Sequence, residues 1–153
     1  MKTLKWLVPA LLLGAALWQC GGERAEALFR GRQYYGGWRH YPSRSYYYRY
    51  YYYKPYDDYD GYDYQYTIYY PSTPRYYYYY NPHRRLYWGR LDLEAKDENK
   101  YSILAEKDRK KELSDIPEEA FPKPGKLPPI PGSKDGVAME APTDGPPKKE
   151  DEK

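Results

Sequence analysis

Aliphatic side chains are scarce in this sequence of 153 residues. Beyond residue 27, only 15 residues are Leu, Ile, Val, Phe or Met, about 12% of that part of the chain. A content below roughly 20% is typical of disordered chains. If each buried Tyr or aliphatic side chain contributes about 2 kcal/mol, burial falls short of the conformational entropy that ordering costs. The sequence therefore predicts a mature part that is mostly intrinsically disordered and of low complexity.

Cysteine and histidine are almost absent, which removes much of the usual chemistry of catalysis and metal binding. The single cysteine, Cys20, has no partner for an internal disulfide. His40 and His83 are far apart in sequence and have no patterned carboxylate or second cysteine beside them. The serines lack the strand-turn-helix frame of a nucleophile elbow, and no phosphate-binding loop is found. We expect no enzyme activity, no metal and no cofactor.

An acidic cluster between Asp57 and Asp63 surrounds Gly61 and invites a calcium interpretation. A calcium loop with Gly61 in sixth place would put Tyr56 in the first ligand position and Thr67 in the twelfth. Neither residue supplies the required carboxylate. The cluster is therefore interpreted as a solvated turn.

The N-terminus has the pattern of a secretory signal. Lys2 and Lys5 precede the uncharged run 6–18, which is too short to cross roughly 30 Å of hydrocarbon as a helix. Nothing later in the chain is apolar enough to cover such a segment. We expect an exported protein of the cell envelope, anchored in the membrane or secreted.

Cys20 follows this apolar run after one residue, Gln19, and Leu17 occupies the position three residues before the cysteine. Here the sequence resembles the bacterial lipoprotein precursors. The resemblance covers only the signal segment and implies that residues 1–19 are removed and that Cys20 is the site of lipid attachment. Ala25 and Ala27 offer a rival cleavage site, after Ala27, that would give free secretion. An uncleaved anchor is the third alternative.

Residues 33–90, which follow a short linker at 20–32, are dominated by Tyr, Arg and Gly. The tyrosine runs show no alternation of polar and apolar residues, and prolines interrupt the candidate strands. We expect irregular, partly extended chain with transient strands. An exception is a short strand or apolar cluster formed by four residues, Leu86, Trp88, Leu91 and Leu93.

Charge divides the chain into two blocks. Residues 28–90 hold nine Arg, one Lys and four Asp, whereas residues 91–153 hold twelve basic and sixteen acidic residues. The mixture of Arg, Tyr and Gly resembles the low-complexity segments of RNA-binding proteins. Export argues against a nucleic-acid partner, and the net charge of the first block is modest for one.

Residues 91–121 are interpreted as a helical or docking segment, with a short helix over 103–113. A second turn is predicted to begin at Pro117. Residues 122–153 are rich in Pro and charge, which predicts an extended, solvated tail.

Two hypotheses for function follow. In the first, the protein is an envelope-associated structural or adhesive protein whose tyrosines make many weak contacts with wall or matrix polymers or with other copies of the chain. In the second, it is a disordered interaction module whose residues 87–136 dock on an envelope partner.

Overall fold

The structure is a computed structural model that describes residues 31–147. Seven strands form one antiparallel sheet: β1 Gln33–Tyr35, β2 Arg39–Tyr41, β3 Tyr46–Tyr53, β4 Asp63–Tyr69, β5 Tyr76–Asn81, β6 Leu86–Asp92 and β7 Tyr101–Ile103. The order is β1, β3, β4, β5, β6, β7. Both β1 and β2 pair with the same edge of β3: β1 pairs with its C-terminal end, and β2 pairs with its N-terminal end. The prediction of disorder is therefore wrong for this part of the chain.

Prolines lie between the strands rather than inside them. Pro42 starts a 3-10 turn after β2, Pro55 follows β3, Pro71 and Pro74 lie between β4 and β5, and Pro82 follows β5. Tyrosine favours strands, and proline ends them because it cannot donate a ladder hydrogen bond. The prolines that indicated transient strands in fact mark the turns of a stable meander.

The sheet has two faces. We call them the odd face and the even face, because odd-numbered residues of β3, β4 and β5 lie on one and even-numbered residues lie on the other. The odd face carries pairs such as Tyr51 opposite Gln65 and Tyr69 opposite Tyr77. The even face carries Tyr50 opposite Tyr66. Tyrosine occupies both faces, because its ring can be buried while its hydroxyl tolerates water. This explains why no alternation is visible in the sequence.

The odd face forms the larger core. Tyrosines supply most of it, together with residues of β6, β7 and the C-terminal segment: Tyr51, Tyr53, Tyr69, Tyr77, Tyr79, Trp88, Leu91, Tyr101, Ile130 and Met139. Ile130 and Met139 are only 1% and 2% exposed. The segment from residue 122 is therefore not a solvated tail throughout, because Ile130 and Met139 pack on the sheet.

Tyrosine burial is the physical reason that the disorder prediction fails. Tyr51 and Tyr79 are 0% exposed. An aromatic side chain buries about 150–250 Å², which corresponds to roughly 4–6 kcal/mol at about 25 cal/mol per Å². An allowance of about 2 kcal/mol for each ring was therefore too small for the odd face.

The even face is covered over part of its area by residues 104–121. Leu104 and Ile116 are buried in one cluster with Ile68, Tyr78 and Tyr87 of the sheet. Arg90 of β6 contributes to the attachment, since its Nη1 and Nη2 donate to the two carboxylate oxygens of Glu118 at 2.8 and 2.6 Å. The rest of the even face carries half-buried tyrosines.

The predicted helix over 103–113 is wrong. That segment starts as the end of β7 and continues through two 3-10 turns, Glu106–Asp108 and Leu113–Asp115. Its backbone bonds to β6 instead: the Leu104 N–H donates to the Trp88 carbonyl at 2.9 Å, and the Lys110 carbonyl accepts from the Tyr87 N–H at 2.8 Å. Pairing with a sheet edge has overridden a weak local helix preference.

Two smaller predictions are closer to the structure. The expected strand around Leu86, Trp88 and Leu91 is confirmed as β6, and Leu93 follows its end. The turn expected at Pro117 is a 3-10 turn, Glu118–Ala120, which begins one residue later.

Candidate functional site

The open part of the even face carries a cluster of seven half-buried tyrosines, which we call the tyrosine platform: Tyr34, Tyr48, Tyr50, Tyr52, Tyr64, Tyr66 and Tyr80. The residues come from β1, β3, β4 and β5. Strand pairing positions them, because antiparallel register places same-face side chains of neighbouring strands side by side. The rings therefore form a continuous layer rather than a scattered set.

Ring contacts run across the whole platform. Tyr34 stacks on Tyr52 with centroids 4.8 Å apart, and Tyr52 stacks on Tyr50 at 5.4 Å with planes 9° apart. Tyr50 meets Tyr66 edge-on at 5.0 Å, and Tyr66 lies parallel to Tyr80 at 6.3 Å. These are the separations of favourable aromatic pairs. Each ring is thus held by its neighbours, which lowers the entropy cost of using it in binding.

Basic groups border the platform. The guanidinium carbon of Arg39 lies 5.3 Å from the centre of the Tyr50 ring, and the His83 ring lies 5.1 Å from that of Tyr64. The His83 Nε2 is also 3.3 Å from an Asp63 carboxylate oxygen. A ligand on the platform would therefore meet aromatic faces in the middle and a guanidinium, an imidazole and a carboxylate at the rim.

Three of the platform phenols, those of Tyr52, Tyr66 and Tyr80, have a pKa raised above the ordinary value, chiefly by burial. Burial raises the pKa of Tyr66, and the hydrogen bond with Tyr50 raises it further. The pKa of Tyr52 is raised by burial and then by the nearby Tyr34 and Tyr50. A neutral phenol both donates and accepts a hydrogen bond. The platform consequently offers apolar ring faces together with hydrogen-bonding hydroxyls, as a sugar-binding surface does.

The sites weighed from the sequence do not converge in the structure. His40 stacks on Tyr47 near the start of β3, whereas His83 lies beside Asp63, which pairs with Tyr53 at the end of β3. No group of three or more potential metal ligands occurs within residues 31–147. The candidate lipid-attachment residue Cys20 and both predicted cleavage sites lie outside the described residues.

Sequence analysis missed the role of Arg49, which is 0% exposed on the odd face. Its guanidinium carbon lies 4.3 Å from the centre of the Trp38 ring and 4.7 Å from that of Tyr35. One signal was available: Arg49 is the single charged residue in the run Tyr46–Tyr53. A lone arginine among strand tyrosines indicates a cation–π contact.

No family model matches this chain, and no curated protein or solved structure shows significant similarity to it. In the described part of the chain, no helix is both long and apolar enough to span a membrane.

Proposed function

We propose that this chain is an exported, envelope-associated protein that adheres to wall or matrix polysaccharides through the tyrosine platform. The observation that carries the proposal is the layer of seven contacting, half-buried rings on the even face, which extends beyond the cluster that contains Leu104 and Ile116. A tyrosine ring packs against the C–H face of a sugar while its hydroxyl bonds to the sugar hydroxyls. Neighbouring rings such as those of Tyr52, Tyr50 and Tyr66 can therefore contact the same polysaccharide molecule.

The size of the platform suits a polymer. Four strands at about 4.8 Å spacing give a width of roughly 14 Å, and the β3 tyrosines extend it by a similar length. Contacts worth about 1 kcal/mol each are weak alone but add up when neighbouring units of one polymer bind neighbouring rings. Adhesion is therefore expected to depend on polymer length.

The second hypothesis, a disordered module that folds on a partner, has less support. Residues 87–136 include most of β6, all of β7 and much of the segments that cover both faces, so they already pack on the sheet of this chain. Within residues 87–136, the structure indicates no partner.

The test of adhesion is retention on insoluble envelope polysaccharide. The triple variant Tyr50→Ser/Tyr52→Ser/Tyr64→Ser removes the centre of the platform, and each lost ring should weaken retention by roughly fivefold. Tyr56→Ser/Tyr59→Ser is the matched control, since these two rings contact each other in the turn after β3 and lie outside the platform. Unchanged retention of the triple variant, with its sheet intact by circular dichroism, would contradict the proposal.

Export and membrane anchoring need a separate experiment. A lipid-anchored product should begin at Cys20, carry acyl chains by intact-mass analysis and leave the membrane fraction on Cys20→Ser substitution. More than one acyl chain is required, because a single chain gives only marginal binding. A product that begins at Leu28 would instead establish free secretion, and a product that retains Met1 would indicate an uncleaved anchor.

A further inference from the structure

Solvent exposure sets two tyrosines apart from all the others. The chain has 24 tyrosines, and every one of them lies within residues 31–147. Tyr41 is 42% exposed and Tyr56 is 54% exposed, whereas the other tyrosines are buried or half-buried. Neither of the two belongs to the tyrosine platform. A reagent in solution that attacks the edge of a phenol ring therefore meets these two rings first.

The two exposed rings lie at opposite ends of β3. Tyr41 pairs with Tyr46, the first residue of β3, and Tyr56 follows the last residue, Tyr53, by three positions. At about 3.4 Å for each residue, the two ends of the strand are roughly 24 Å apart. Two rings that are joined by a single bond must be in contact. Tyr41 and Tyr56 of one chain are therefore too far apart to be joined to each other, but each can meet a ring of another copy.

The end that carries Tyr41 is basic. Arg39 and His40 precede Tyr41 in β2 and are exposed, and Arg44 follows it with 61% of its side chain exposed. Glu112 lies 3.6 Å from Arg44 and offsets one positive charge. The charge of Arg39 remains, so the net charge of this end is positive.

The end that carries Tyr56 is acidic. Arg32 has two carboxylates close to it, since its Nη1 lies 3.5 Å from Asp57 and 2.5 Å from Asp135. Further charged residues lie in the same turn, at the adjoining strand ends and in the wall of the cavity beside Tyr56. Five acidic residues thus stand against three basic ones: Asp57, Asp58, Asp60, Asp63 and Asp135 against Arg32, Lys54 and Lys134.

We propose that Tyr41 and Tyr56 are the sites at which copies of this chain are joined end to end by oxidative tyrosine coupling. Opposite charges bring the Tyr41 end of one copy to the Tyr56 end of another. Because the two ends are different surfaces about 24 Å apart, the contact repeats from copy to copy and gives a linear polymer. The proposal does not depend on adhesion, because the platform tyrosines take no part in the coupling.

The oxidant is hydrogen peroxide, used by a haem peroxidase. Each of two phenols loses one electron and its hydroxyl proton, and the two phenoxyl radicals form a carbon–carbon bond between their ortho carbons. The hydrogen on each of these carbons then moves to the phenol oxygen, which restores both hydroxyls. One peroxide molecule is reduced to two waters, and the joined pair has lost two hydrogen atoms in total.

The test treats the full-length chain with a haem peroxidase and hydrogen peroxide. The unaltered chain should give a ladder of dimers, trimers and longer products on reducing gels, which exclude disulfides through Cys20. Tyr41→Phe/Tyr56→Phe keeps both rings and should give no ladder, although 22 of the 24 tyrosines remain. Tyr50→Phe/Tyr64→Phe, which removes two half-buried phenols of the platform, is the matched control and should leave the ladder unchanged.

A mixture of the two single variants tests the end-to-end contact. Tyr41→Phe offers only Tyr56 and Tyr56→Phe offers only Tyr41, so the mixture should stop at dimers, and mass spectrometry should identify a peptide pair linked through Tyr41 and Tyr56. Each variant alone should give severalfold less dimer, because two ends of like charge would have to meet. Raising the salt from about 0.05 M to about 0.5 M should lower the dimer yield of the mixture severalfold, since it screens the attraction.

Three results would overturn the proposal. The first is a ladder from the folded double variant, which would place the coupling at other tyrosines. The second is dityrosine fluorescence without a ladder, which would mean links within one chain, as between Tyr41 and Tyr46 or between Tyr56 and Tyr59, whose ring centres are 5.3 Å apart in both pairs. The third is an equal dimer yield from each single variant alone and from their mixture.

Discussion

Arg49 and Asp144 join the third strand to the C-terminal segment across 95 residues of sequence. The Arg49 Nη1 lies 2.6 and 2.7 Å from the two carboxylate oxygens of Asp144. The arginine side chain is 0% exposed, whereas that of Asp144 is 58% exposed. The buried Arg49 guanidinium therefore has its counterion, Asp144, in the C-terminal segment that covers the odd face.

The first prediction concerns this pair. Asp144→Ala leaves the buried guanidinium without its carboxylate and should lower the free energy of unfolding by about 1–2 kcal/mol. The effect should be smaller than the roughly 3–5 kcal/mol of a fully buried pair, because Asp144 is partly solvated. Urea unfolding measures it, and Glu119→Ala, which removes an exposed acid over the other face, is the control.

A double-mutant cycle gives the sharper result. Arg49→Met removes the buried charge at similar volume, so Asp144→Ala should cost much less in that background. Strictly additive free energies would show that the two side chains do not stabilise each other.

Many strand positions could be predicted from the sequence, but the formation of a stable sheet could not. The strand at Leu86, Trp88 and Leu91 followed from local composition, and prolines such as Pro55 and Pro82 stood at the strand ends. The sheet as a whole was missed because a tyrosine run looks the same on a buried face as on an open one. Tyr50 and Tyr51 differ only in which face the register gives them.

The proposed binding surface was less predictable than the strands. Tyrosine adhesion was expected, but only pairing between distant strands shows that Tyr34 meets Tyr52 and that Tyr66 meets Tyr80. The burial of Ile130 and Met139 depends on a Pro-rich segment that the sequence predicted to be a solvated tail. Such long-range contacts leave no periodic signal in a single sequence.

The second prediction tests the pairing of β6 with β7. A Cβ at Gly89 would lie 3.0 Å from the Ser102 carbonyl oxygen and 3.0 Å from the Ile103 Cδ1. Because one of these atoms is backbone, Gly89→Ala should force the strands apart and destabilise the fold by about 1–3 kcal/mol. Thermal unfolding measures the loss.

Gly37→Ala is the matched control for that substitution. An added Cβ at Gly37 meets no atom of the described residues within 4 Å. It should be neutral or slightly stabilising, because alanine restricts the unfolded chain. Equal effects of the two substitutions would contradict the close approach at Gly89.

The third prediction concerns cooperativity. With a core that joins β3–β7 to Ile130 and Met139, the purified chain should unfold in one sharp transition with a strong near-ultraviolet signal from its tyrosines. Far- and near-ultraviolet circular dichroism should give the same midpoint. A gradual change with no near-ultraviolet signal would restore the expectation of disorder drawn from composition.

The last prediction is a loss of stability at alkaline pH. Burial raises the pKa of Tyr77 to about 12, although the charge of Arg49 opposes the shift. Burial also raises the pKa values of Tyr51, Tyr79 and Tyr87 above the ordinary value. Unfolded tyrosines titrate near pH 10. A raised pKa in the folded state contributes stability that is complete below about pH 10 and is lost as the pH rises through the folded values.

The free energy of unfolding should therefore fall steadily above about pH 10. At about pH 10.5, the native chain should show fewer ionised tyrosines by ultraviolet absorbance than the same chain in guanidinium chloride, where every phenol is exposed to solvent. Tyr77→Phe removes one raised pKa and its buried hydroxyl, so at this pH it should shrink that difference by about 0.7 of a phenol. If native and unfolded chains titrate identically, the tyrosines of the odd face are not buried as the structure describes, because burial is the largest cause of their raised pKa values.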